Sequence, residues 1–131
     1  KTLKKLYFVD NLSPLNTLDQ NHLKFLKKNF LFKNKDFKEK KIKTENINNI
    51  LKKHDFNEVD FLNIDLEGLE YEVIKSINFK KFKINLICVE ILDHNKISKN
   101  KSKKIHQILK KNNFKYLKKI GVNSIFKNIS F

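Results

Sequence analysis

A chain of 131 residues with 40% hydrophobic and 33% charged residues can bury one packed core, and its composition excludes a disordered protein. No apolar run approaches the roughly 20 residues of a membrane-spanning helix and nothing resembles a signal peptide, so the reading is a soluble, cytoplasmic protein with no membrane span. The net charge of +15 points toward anionic partners, yet all 29 basic residues are lysine, and the lack of arginine, the residue that grips bases and phosphates bidentately, argues against a specific nucleic-acid site.

The surplus of lysine, asparagine, isoleucine and phenylalanine suits an AT-rich coding sequence and a solvated basic surface. Cys88 stands alone in an apolar run and is read as a small buried hydrophobe, not a nucleophile. The chain contains no methionine, so either its start has been processed away or it is a piece of something longer, and the second is expected.

In chain order, Lys4 to Asp10 reads as a short strand, followed by turn chemistry at Asn11, Ser13 and Pro14. From about Thr17, the spacing of Leu23, Leu26 and Phe30 predicts an amphipathic helix with Lys24, Lys27 and Lys28 outward. A charged loop is expected from Lys33 to Lys41, then a brief strand to Lys43. The next helix would be capped by Thr44, with Ile47, Ile50 and Leu51 on its buried face.

Val59 to Ile64 is short, bounded and rich in β-branched and aromatic residues, which predicts a strand. After Gly68, the spacing of Leu69, Val73, Ile74 and Ile77 predicts a helix, with Glu67 and Glu70 in or near its first turn, where the helix dipole favours carboxylates. Asp65 falls at the carboxyl end of the strand, where open α/β sheets place their ligands. Phe82 to Leu92 is nearly continuous in apolar residues, as in a parallel strand covered on both faces, and joins the preceding strand through a βαβ crossover.

Glu90 is expected at the carboxyl end of that strand beside Asp65; the plainer alternative is a lysine partner at the sheet edge. Ile97 to Asn113 reads as a surface helix carrying Ile105, Ile108 and Leu109 inward. The segments FKYLKKIG and NSIFKNISF read as an antiparallel hairpin turning near Gly121.

The sequence has no glycine-rich phosphate loop, no zinc-spaced Cys and His set, and no serine flanked by glycines. What remains is a set of acids at strand ends, with His94 just past Glu90. Groups so placed can accept a proton from a hydroxyl, or hold a divalent cation that acidifies it; whether a metal is used stays open. An exposed loop histidine is the plainer account of His94.

The segment DFLNIDLEGLEYEVIKSI, preceded by KIKTENINNIL and followed by INLICVEI, resembles the carboxyl-terminal part of FkbM-family methyltransferases. Asp65, Glu67, Gly68 and Glu70 match the family's signature, Val73 and Ile74 its helix face, and Glu90 a later acid. Asn63 stands where lysine is common, Leu69 where alanine is usual, and Ser76 near a typical glycine, which puts the substrate subclass in doubt more than the fold.

The resemblance implies an α/β fold: a partial Rossmann-like class I methyltransferase sheet, mostly parallel, closed by the antiparallel hairpin. Residues 1–131 would be a single domain, the C-terminal portion of a catalytic domain whose glycine-rich cofactor loop is not in the sequence. Without its neighbour, Phe61 to Ile64 would be an exposed apolar edge. The implied activity is methyl transfer from S-adenosylmethionine to an oxygen of a small-molecule or glycan acceptor, with the fragment alone inactive. Asp65 and Glu67 are the catalytic candidates, Glu70, Glu90 and His94 the substrate-binding ones, and Asn63 and Asp65 the cofactor-binding ones. The competing reading is a non-catalytic basic module that contacts nucleic acid or anionic surfaces through its lysines.

Overall fold

The structure is a computed structural model and describes residues 2–10, 13–29 and 37–131. Contacts divide it into two compact units, Lys1–Glu45 with Leu66–Leu69, and Asn46–Asp65 with Glu70–Phe131. Among the described residues no helix is long and apolar enough to cross a membrane.

In the first unit, β1 (Thr2–Phe8) pairs antiparallel with β2 (Lys38–Thr44), Thr2 lying opposite Thr44 and Phe8 opposite Lys38. The expected loop from Lys33 to Lys41 is therefore a strand over its last four positions. KEKKIKT has little β-propensity of its own and is held by pairing, with the Thr2 and Thr44 hydroxyls 2.9 Å apart and Lys5 bridged to Glu39 at 2.8 Å. Ser13 accepts from the Leu15 amide as the turn chemistry predicts, while Asn11 lies outside the described residues. Helix α1 (Gln20–Asn29) buries Leu23 and Leu26 as expected and also His22; Phe30 lies outside the described residues.

The second unit begins with α2 (Ile47–Lys53), capped by Asn46 rather than Thr44. The Asn46 side chain accepts from the Asn48 amide at 2.9 Å, so the threonine is left to β2. Leu51 is buried and Ile47 half-buried, but Ile50 is 39% exposed, because a helix this short turns only a narrow stripe inward. Strand β3 (Glu58–Ile64), helix α3 (Glu70–Ser76) and strand β4 (Lys83–Glu90) form the expected βαβ unit, with β3 and β4 parallel. Helix α4 (Lys96–Lys111) opens on a reciprocal cap between Asn95 and Ser98, and the hairpin β5 (Phe114–Ile120) and β6 (Asn123–Asn128) turns at Gly121.

The strand order is β3-β4-β6-β5, in which only β3–β4 is parallel. The fold is α/β, but this sheet is mixed and mostly antiparallel, correcting the mostly parallel expectation. The hairpin inserts its second strand against β4 rather than packing as an appendage, and β3 is left at the end of the sheet with Phe61 55% exposed. On β4, Ile87 and Val89 are sealed on one face; on the other, Ile84 is sealed and Leu86 and Cys88 are half-buried. Ile74 and Ile77 from α3, Ile105 and Leu109 from α4, and Phe114 and Phe126 from the hairpin complete the core of this unit.

Candidate functional site

Two strand ends and one helix start bring three carboxylates together. The parallel register sets Ile64 beside Val89, so the next residues, Asp65 and Glu90, leave the carboxyl ends of β3 and β4 side by side. Glu70 is the first residue of α3, where the amino end of the helix favours a carboxylate, and it is only 7% exposed. One carboxylate oxygen from each of Asp65, Glu70 and Glu90 lies within 4.8 Å of the others. Three oxygens at that spacing fit the coordination sphere of one hard divalent cation, and they equally suit hydroxyl or ammonium donors of a ligand. Asp65 is exposed, which leaves the group open on its β3 side.

Glu67 does not join the first turn of α3, which starts later, at Glu70. It takes a left-handed φ of 50°, followed by Gly68 at 109°, and with Leu66–Leu69 it belongs to the first unit. There its carbonyl accepts from the Thr17 hydroxyl at 2.6 Å, and its carboxylate sits 3.4 Å from His22 Nε2. Thr17 is itself fixed by paired backbone bonds with Tyr7, both 2.9 Å. Gly68 is required for space as well as for φ: a Cβ there would stand 3.0 Å from Asp19 Cβ and 3.1 Å from His22 Cβ.

His22 is the residue that the sequence did not single out. A histidine beside Leu23 carries no periodic or motif signal, and its part comes from the long-range pairing with Glu67.

Asn63 is exposed on β3, two positions before Asp65 and on the same face of the strand. His94 lies in the loop after β4, exposed, and is not in the three-carboxylate group. Partial burial lowers its pKa from the usual histidine value, with Asp93 pulling the other way. Cys88 is half-buried rather than buried. Burial, and then the Asp65 carboxylate, push its thiol above the ordinary range, so it stays protonated and is a poor nucleophile.

A model of the methyltransferase FkbM domain matches residues 3–116. The chain belongs to that family. No curated protein and no solved structure matches it. The match runs from β1 to the start of β5 and contains every member of the acid group, in agreement with the resemblance carried by Asp65, Glu67, Gly68 and Glu70. As an FkbM domain, the chain is a methyltransferase in general terms, and its reaction needs a methyl donor.

Proposed function

We propose that this FkbM domain transfers a methyl group from S-adenosylmethionine to an oxygen of a small-molecule or glycan acceptor, in the cytoplasm, on a Rossmann-like sheet whose β3 and β4 ends form the acceptor rim. The observation that carries this reading is the convergence of Asp65, Glu70 and Glu90 on one point at the carboxyl ends of two parallel strands. The donor chemistry fits the residues beside it. Asn63 and Asp65, exposed on one face of β3, offer an amide and an acceptor oxygen to the hydroxyl groups of S-adenosylmethionine.

When bound, that donor supplies a methyl group on a positively charged sulfur. Asp65, the exposed member of the group, takes the proton of the acceptor hydroxyl as its oxygen becomes the nucleophile. Glu70 and Glu90 hold the acceptor's remaining hydroxyls, or a divalent cation that would acidify the reacting one. His94, next in the loop, borders the acceptor. Glu67, held by His22 and Thr17 within its own unit, sets the loop between Asp65 and Glu70 and acts by positioning.

The test is Asp65→Asn at the matching position of a full-length homologue that carries the cofactor loop, which keeps an acceptor oxygen for the donor but removes the base. Turnover with labelled donor should fall by about a hundredfold or more, while calorimetric binding of S-adenosylhomocysteine changes little. Wild-type turnover in the variant would refute the role of Asp65. Oligonucleotide binding without binding of S-adenosylhomocysteine would favour the basic module instead.

A further inference from the structure

The acid group has a polar neighbour on the next strand. In the antiparallel pairing of β4 with β6, Glu90 lies directly opposite Asn123, so the two side chains leave the same face of the sheet. The Ile91 amide donates to the Val122 carbonyl at 2.8 Å, which makes Glu90 and Asn123 a non-hydrogen-bonded pair. In such pairs the side chains stand closer, with Cβ atoms about 4.5–5.5 Å apart. Asp65 flanks Glu90 on its other side, because β4 lies between β3 and β6. Asp65, Glu90 and Asn123 therefore form a row across three adjacent strand ends, roughly 10 Å long from two strand spacings.

Nothing in the fold accounts for an amide at position 123. Asparagine is depleted in strands, and elsewhere in this chain its side chain bonds the backbone: Asn16 the Val9 amide, Asn46 the Asn48 amide, Asn95 the Ser98 amide and Asn128 the Ser130 amide. Asn123 opens β6 after the turn at Gly121 and is half-buried, and among the described residues its side chain makes no hydrogen bond. Its amide keeps its full capacity to bond a ligand.

What the amide adds bears on selection. Ionised carboxylates only accept hydrogen bonds, so Asp65, Glu70 and Glu90 alone hold a hydroxyl or an ammonium group equally well. A hydroxyl also has lone pairs to which Asn123 can donate; an ammonium group has none. The next pair on that face, Cys88 with Ile125, is half-buried and gives the row an apolar step against which ligand carbons can lie. Asn123 is beyond residue 116, where the family match stops, so this contact comes from outside the matched region.

We infer that Asn123 is a specificity-determining residue of the acid rim: its amide donates to an acceptor hydroxyl that itself donates to Glu90, so the rim takes an uncharged polyhydroxylated acceptor over an amine. This role rests on the reading of the rim as the acceptor side of methyl transfer.

NMR of the full chain, following backbone and side-chain amides, provides the test. Glu90→Gln, which removes a charge and little volume, should move the Asn123 side-chain resonances; unmoved resonances would overturn the juxtaposition. Titration with mannitol, a neutral polyol, and with putrescine, a diammonium, then reads selection. Both should give saturable shifts at Asp65, Glu70 and Glu90, and Asn123→Leu should weaken mannitol by about threefold to tenfold while changing putrescine by less than about twofold. Asn123→Asp, which adds a fourth carboxylate at the same size, should tighten putrescine relative to mannitol. Mannitol bound equally well by Asn123→Leu, or both probes weakened alike, would overturn the role of Asn123 and leave the acceptor rim in place. A chain in which mannitol moves none of the three acids would overturn the acceptor rim itself, and this role with it.

Discussion

Gly68 is the residue on which the candidate site's connecting loop turns. Its φ of 109° is one that side chains rarely adopt, and the space where a Cβ would go is taken by the Cβ atoms of Asp19 and His22. Those atoms are fixed to backbone and cannot swing away, so relief would require the loop or the start of α1 to move. Gly68→Ala, which alters no charge and removes no hydrogen-bonding group, is expected to cost about 1–3 kcal/mol. Thermal unfolding should show the midpoint lowered by several degrees, and an unchanged midpoint would mean that the loop has a second conformation of equal energy. The neighbouring Glu67 shares the left-handed backbone without glycine's freedom, and what holds it is the Thr17 hydroxyl on its carbonyl.

Among the elements, the junction between α2 and α3 rests on one side chain. Asn48 donates from Nδ2 to the Ser76 carbonyl at 2.6 Å and accepts at Oδ1 from the Asn78 amide at 2.8 Å, closing the carboxyl end of α3 from a neighbouring helix. Both roles are needed at once, so Asn48→Asp, similar in shape, would turn a donor into a second acceptor facing a carbonyl. We expect a loss of about 1–3 kcal/mol, read as a lower denaturation midpoint. Asn48→Ala should cost no more than that, because it removes the bonds without adding repulsion.

Such contacts mark the boundary of what could be read from the residues. The β3-α3-β4 unit and the placement of Asp65 and Glu90 were legible because alternation, helical spacing and a bounded apolar run are local signals. The first part of the strand Lys38–Thr44, ahead of the brief strand read at Lys41 to Lys43, was not, since lysines on both faces resemble solvated loop until β1 pairs with them. Nor was the insertion of β6 beside β4, because two hairpin strands of similar pattern give no sign of which one faces inward. His22 was hidden for the same reason: its partner is far off in sequence.

The whole molecule carries a formal charge of +15, and where that charge sits decides what it can do. Exposed lysines occur in the described parts of both units, from Lys4 and Lys40 on β1 and β2 to Lys52 on α2, Lys103 on α4 and Lys118 on β5. The ion pairs formed by Lys5 with Glu39 and Lys83 with Glu58 are between exposed groups, where such pairs contribute little. Spread in this way and lacking arginine, the charge provides attraction without a reading surface. Binding to DNA, RNA and heparin is therefore expected to be indifferent to sequence and to weaken by about tenfold or more between roughly 50 and 200 mM salt, through loss of counterion release. Fluorescence anisotropy with oligonucleotides of unrelated sequence, titrated at both salt concentrations, measures this directly. A preferred sequence, or an affinity that survives the higher salt, would show a shaped contact where the lysine distribution predicts none.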